Sequence, residues 1–159
     1  MRVIGVDPGY DRLGVAILEK DSKTEKIIHS ECIETDKEHS LAKRLQTAGD
    51  DFLKLIKTHK PDALAIETLF FNQNRKTAIG VAQMRGIIIY LAQNNGCEIF
   101  EFGPQEIKIA VTGYGKSDKN AVIDMVKRLV PNTPDNALDD EYDAIAVGIT
   151  CLAQCRQSQ

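Results

Sequence analysis

Four carboxylates in this sequence sit where a carboxylate is costly unless a positive charge answers it. Asp7 closes a short apolar, β-branched run, RVIGVD at 2–7, and Glu67 closes a second one, DALAIE at 62–67. Asp140 and Asp143 are three residues apart at the start of a helical stretch, DDEYDAIAVGIT. That spacing places both on one face, about one turn apart. Asp143 leads into an apolar face of Ala144, Val147 and Cys151, and a carboxylate aligned with a burying face calls for a cation. Each acid also has a plainer reading. Asp7 before Pro8-Gly9 suits a turn, and acids at a helix start, Asp139 and Glu141 among them, favour the helix dipole. A shift of one residue would exchange Asp140 for Asp139 as the ligand. What favours a joint role is that three separate apolar segments each deliver an acid. Oxygen-only ligation selects Mg²⁺ or Mn²⁺ over zinc, and four carboxylates around two such ions about 3.5–4 Å apart make a phosphoryl-transfer site. No side-chain nucleophile is then required, which fits a sequence without a Ser/His/Asp or Cys/His arrangement.

The elements that must position these acids follow from periodicity. Residues 2–7 and 13–18 (LGVAIL) read as a hairpin of buried strands, and 24–34 as a third, edge-like strand. Residues 40–58 read as a helix with Leu41, Leu45, Ala48, Phe52 and Ile56 on one face, Ser40 as its cap and Pro61 at its end. A strand over 62–67 follows, so strand, crossover helix and strand predict a parallel pairing with the hairpin. Adjacent strands lie about 4.8 Å apart, close enough for Asp7 and Glu67 to share a site. Further helices are expected over 77–94, 104–111, 119–130 and 139–155, with a strand over 97–102. Helix 77–94 is apolar over much of its circumference, which suits either the centre of the core or half-burial in a partner. Helix 119–130 is capped by Asp118, with Val122, Ile123, Val126 and Leu129 as its apolar face.

Composition bounds the class. A chain of 159 residues, 43% hydrophobic and 27% charged, is expected to form a single domain over 1–155, with a frayed tail at 156–159. No apolar run is long enough to span a membrane, and the N-terminus lacks the layout of a signal peptide, so a cytoplasmic location is expected. Cys32, Cys97, Cys151 and Cys155 are then reduced, and the pair at 151 and 155 reads as core rather than metal site. The net charge of −3 argues mildly against nucleic acid, but setting the four carboxylates aside leaves +1. The basic residues that matter flank the acids. Arg75 and Lys76 follow the paired aromatics Phe70 and Phe71, while Lys108, Lys116 and Lys119 surround a Gly-rich loop, TGYGKSDK, that lacks P-loop spacing. An aromatic on a loop beside a catalytic acid can wedge against unstacked bases.

The segments GVDPGYDRLGVAIL, DALAIETLFFNQN, GVAQMRGI and DDEYDAIAVGIT, in this order and spacing, closely resemble the RuvC family of bacterial Holliday-junction resolvases. The resemblance spans essentially the whole chain. It implies an α/β, ribonuclease-H-like fold: a five-stranded mixed sheet, its first three strands antiparallel, with helices on both faces. It further implies a homodimeric, Mg²⁺-dependent endonuclease that cuts two strands of like polarity in four-way junction DNA and works with the RuvAB branch-migration complex. Asp7, Glu67, Asp140 and Asp143 fall on the family's catalytic carboxylates. Phe70 matches the aromatic inserted at the junction centre, with Phe71 beside it, and Lys108 and Lys119 match its functional lysines. Lys119 can stabilise charge on the scissile phosphate. Three alternatives stand beside this: a nuclease for other branched DNA or RNA, a junction-binding scaffold without activity, and, from the D-x-G near the N-terminus, an actin-like ATPase or sugar kinase.

Overall fold

The computed structural model describes residues 1–21, 24–69 and 75–155, with only the backbone of residues 75 and 76. Five strands, β1 (Arg2–Asp7), β2 (Arg12–Lys20), β3 (Glu25–Glu34), β4 (Ala63–Glu67) and β5 (Glu98–Phe102), form a sheet in the order β3-β2-β1-β4-β5. The first three pair antiparallel; β4 joins β1 in parallel and β5 joins β4 in parallel. The helices are α1 (Leu41–His59), α2 (Arg75–Asn94), α3 (Pro104–Thr112), α4 (Lys119–Leu129) and α5 (Asp139–Gln154). Every element falls within a residue or two of its expected bounds, and the mixed sheet with helices on both faces is the architecture the resemblance implies.

Local chemistry accounts for the boundaries. The Ser40 hydroxyl accepts from the Lys43 N–H at 3.3 Å and opens α1, and Asp118 does the same for α4 through the Ala121 N–H at 2.9 Å. Helix α1 stops at Lys60, which takes a left-handed conformation (φ 48°) just before Pro61.

Strand alternation splits the core in two. Ile4, Val6, Leu13, Val15, Ile17, Leu64 and Ile66 face α1 and α2, where they meet Phe52, Ile56, Met84 and Ile88. Val3, Ala16, Leu18, Ala63 and Ala65 face α3, α4 and α5. This second face is lined by small residues, and α5 uses the space. A Cβ on Gly14 would overlap the Asp140 carbonyl, and one on Gly5 would overlap the Ala144 carbonyl and lie 2.8 Å from the Gly148 nitrogen. Backbone therefore packs on backbone where α5 crosses β1 and β2, and α5 is buried along most of its length.

Helix α2 settles differently. Met84, Ile88 and Ala92 are buried, while Ile79 and Tyr90 are 68% and 67% exposed. The inner stripe of α2 is core and its outer stripe is exposed, so the helix is not central to the core around its whole circumference. Leu129 departs from the expected apolar face of α4: at the helix's last residue it lies outside the core, and Val122 and Val126 carry the packing. Cys151 is buried and Cys155 half-buried, both as free thiols.

Candidate active site

The parallel register pairs Val6 with Ile66. The next residue on each strand is an acid, so Asp7 and Glu67 emerge together at the carboxyl ends of β1 and β4, on the face that α5 covers. The close approach of α5 brings its first turns over this point. Four half-buried carboxylates, Asp7, Glu67, Asp140 and Asp143, thereby meet from three elements.

Their electrostatics show the crowding. Asp7 is pushed from 3.8 up to about 7, by burial first and then by the charges of Asp143, Glu67 and Asp140, with Lys119 pulling it down. Burial and the Asp143 charge raise Glu67, against the pull of Lys108. Burial raises Asp143 as well, against Lys119. Lys119 Nζ lies 3.1 Å from Asp139 Oδ2 and 3.4 Å from Asp143 Oδ2. Burial would lower the Lys119 ammonium, but its hydrogen bond to Asp139 and the charges of Asp143 and Asp139 win and hold it above its ordinary range. Lys108, Lys119, Glu67 and Asp143 line one cleft of about 240 Å³ with Val122 and Ala146.

The opposite flank of Asp140 belongs to Arg12, at the start of β2. Arg12 Nη1 is 3.6 Å from Asp140 Oδ2, and its Nε is 3.9 Å from Glu34. A second cleft, about 370 Å³, opens there between Tyr10, Arg12, Lys37, Thr77 and Asp140. The turn after Asp7 is pinned from below by the buried Arg44 of α1. Its Nε donates to Thr35 Oγ1 at 2.9 Å, its guanidinium pairs with Asp11, and it stands 5.0 Å from the centre of the Tyr10 ring.

The expected residues divide as follows. Asp7, Glu67, Asp140 and Asp143 come together, and Lys108 and Lys119 join them. Asp139, the alternative to Asp140, turns to Lys119, whereas Asp140 is among the charges acting on Asp7. Glu141 stands in the first turn as expected of a dipole acid and does more besides: it is buried, and its carboxylate accepts the Ser30 hydroxyl at 2.5 Å. Lys116 is exposed on the loop between α3 and α4. Phe70 and Phe71 lie outside the described residues, as do the side chains of Arg75 and Lys76. Sequence reasoning passed over Arg12 and the Arg44–Asp11 pair. The hairpin register, Asp7 opposite Gly14, was the available signal, because it sets Arg12 just beyond the Asp7 end of the sheet.

Comparison with known proteins agrees with this geometry. The family model described as "Crossover junction endodeoxyribonuclease RuvC" matches residues 3–151. A protein of that name from Thermosipho melanesiensis is 47% identical over 96% of this chain and 97% of its own length. Another from Caldanaerobacter subterraneus is 41% identical over 94% and 90% respectively. The structure of Thermus thermophilus RuvC in complex with a Holliday junction substrate superposes with a TM-score of 0.91 at 25% identity, covering 99% of this chain and 96% of that one. With a sequence match across nearly the whole chain and the same overall fold, this chain belongs to the RuvC family of crossover junction endodeoxyribonucleases.

Proposed function

We propose that this protein is a Holliday-junction resolvase whose phosphodiester-cleaving centre is built from Asp7, Glu67, Asp140 and Asp143. The observation that carries the assignment is their convergence from β1, β4 and α5, where burial first and then the charges of the other three carboxylates push Asp7 to about 7. Among the described residues no three His, Cys, Asp or Glu side chains close into a tight cage. The donor set still fits hard divalent cations: it is all oxygen, it is crowded with negative charge, and Lys119 already draws Asp143 and Asp139 toward a positive centre. Mg²⁺ is the cation proposed, two per subunit, with Mn²⁺ as a substitute. Bound there, such ions supply a water of lowered pKa and neutralise charge on the phosphate and its leaving oxygen.

The chain's own residues do the rest. Asp7 and Glu67, fixed on adjacent strands, set the depth to which a phosphate can enter. Asp140 and Asp143 close the site from α5, with Arg12 holding Asp140 on its outer side. Lys119 and Lys108 stand on the cleft wall, where an ammonium can meet a non-bridging phosphate oxygen. Phe70 and Phe71, with Arg75, Lys76 and Lys116, are proposed to hold the junction. Hydrolysis leaves 5′-phosphate and 3′-hydroxyl ends.

The outer face of α2 supports a homodimer. Ile79, Gln83, Gly86 and Tyr90 recur at helical spacing; Ile79 and Tyr90 are exposed, and nothing lies within 4 Å of a Cβ placed on Gly86. An isologous pair meeting here places two active sites about a two-fold axis, matching the symmetry of a four-way junction. Coupling to a RuvAB-type branch-migration motor is proposed from the family. Among the described residues no helix is long and apolar enough to cross a membrane.

The test is cleavage of a synthetic four-way junction beside linear duplex of the same sequence, with Mg²⁺, with Mn²⁺ and with chelator. Paired symmetric nicks in the junction alone, dependent on the cation, are expected. Cleavage in chelator defeats the metal centre. Equal cutting of duplex defeats junction selectivity, and tight binding without cuts makes the protein a scaffold.

A further inference from the structure

The loop between α3 and α4 is held rigidly yet carries an unburied aromatic. Gly113 caps α3 in a left-handed conformation (φ 79°). The Thr112 and Ser117 hydroxyls, 2.7 Å apart, then stitch the turn: the Tyr114 N–H donates to Thr112 Oγ1 at 3.1 Å, and the Ser117 hydroxyl donates to the Tyr114 carbonyl at 2.8 Å. Ser117 is itself buried, and Asp118 starts α4 immediately after. The backbone of Tyr114 is therefore fixed from both sides, while the residue remains 61% exposed. Beside it Ile109 is 55% exposed, and a Cβ on Gly115 would come within 3.3 Å of the Ile109 side chain, so loop and helix form one apolar knuckle. Such a surface gains nothing from folding alone.

Its surroundings identify the occupant. Lys108 lies one residue before Ile109, and Lys119 starts α4; both line the cleft with Glu67 and Asp143. Lys116 is exposed within the loop itself. An exposed aromatic on a short loop that carries Lys116 and joins two helices whose Lys108 and Lys119 line the cleft matches a nucleic-acid strand: phosphates for the lysines and a base face for the ring.

We infer that Tyr114 is a DNA-contact residue that stacks on an unstacked base of the scissile strand next to the reacting phosphate, with Ile109 and Gly115 supporting its loop. This rests on the resolvase reading above. Stacking needs an exposed base face, which a branch point offers and an intact duplex does not, so Tyr114 contributes to junction selectivity as well as to affinity. The phenol hydroxyl is dispensable in this role; the ring is not.

The experiment compares wild type, Tyr114→Phe, Tyr114→Ala and Tyr114→Leu on a four-way junction and on linear duplex. The junction carries 2-aminopurine beside the cut site, and binding is measured in Ca²⁺. Tyr114→Ala and Tyr114→Leu should weaken junction binding about tenfold. They should lose the 2-aminopurine quench, leave duplex binding unchanged and melt as wild type does. Tyr114→Phe should behave as wild type throughout. Unchanged junction affinity and quench in Tyr114→Ala overturn the inference, and so does an equal loss on junction and duplex. Should wild type itself fail to prefer the junction, the resolvase reading fails first, a result distinguishable from loss in the variant alone.

Discussion

Helices α5 and α2 look alike in composition and have opposite fates. Both are long and apolar, with one internal glycine in α5 and two in α2. In α5 that glycine, Gly148, sits where a Cβ would strike the Leu18 side chain, and the helix crosses β1 and β2 through Gly5 and Gly14. In α2 a Cβ on the buried Gly80 would strike the Tyr10 ring, whereas one on the exposed Gly86 would meet open space. A helix that must aim two carboxylates at two strand ends is set against the sheet backbone to backbone, leaving little freedom to shift. Helix α2 keeps Ile79 and Tyr90 exposed on an outer stripe, the face proposed to meet a second copy. Apolar circumference alone does not separate the two cases; the open space around Gly86 on the outer stripe of α2 does.

The sharpest way to probe the α5 side is to remove a charge without moving the helix. Asp7→Asn is nearly isosteric and should lower single-turnover junction cleavage by about 10³-fold or more, while junction binding persists. Cleavage within tenfold of wild type would show that the four acids do not work as one centre. Next in size is Gly14→Ala. Its new methyl meets the Asp140 carbonyl, which is backbone and cannot rotate aside. The cost should be about 3 kcal/mol, or about 6–12 °C in Tm, and cleavage should fall as Asp140 is displaced. A variant that melts and cuts like wild type would mean that α5 is not held as tightly as the comparison requires.

A smaller effect comes from the crowding of charge under α5. Asp7 titrates at 3.8 in the unfolded chain and near 7 in the folded one. Between those values the folded state holds a proton that the unfolded state has released, so this group's contribution to stability falls as pH rises through that window. Glu67 and Asp143 are raised too and act with the same sign. In chelator, wild type should therefore lose stability relative to Asp7→Asn between about pH 4 and 7, and Mg²⁺ should restore it above pH 7. A difference between the two proteins that does not change with pH would refute the coupling.

Much of this was legible because buried strands announce themselves as short apolar runs bounded by turn residues. Two apolar runs, each closed by an acid, gave Asp7 and Glu67, and the order strand, helix, strand gave the parallel pairing that sets them side by side. Asp140 against Asp139 was only half legible. Spacing offered both, and what favours Asp140 is the rotation of α5, which depends on glycines in strands far away in sequence. Arg12 on Asp140 and Glu141 on Ser30 were not legible, because each pairs residues more than a hundred positions apart and no local pattern encodes such contacts. Glu141 in particular has the look of an ordinary first-turn acid until β3 is placed over it.

The weakest perturbation bears on the α2 side. Gly86 lies mid-helix with free space around it, so Gly86→Ala should stabilise an isolated subunit by about 0.5–1 kcal/mol through helix propensity. If the outer stripe of α2 is the seam between subunits, the same methyl holds two helices apart, and sedimentation should show a weaker dimer even as the subunit melts higher. Ile79→Glu controls for this. It places a charge on the exposed stripe, should leave subunit stability within about 0.5 kcal/mol, and should shift the protein to monomer. Opposite signs for subunit and dimer in one glycine variant are something α5 cannot produce, since Gly148→Ala should destabilise the fold itself. A Gly86→Ala protein that gains stability and dimerises as tightly as wild type would move the interface off this face of α2.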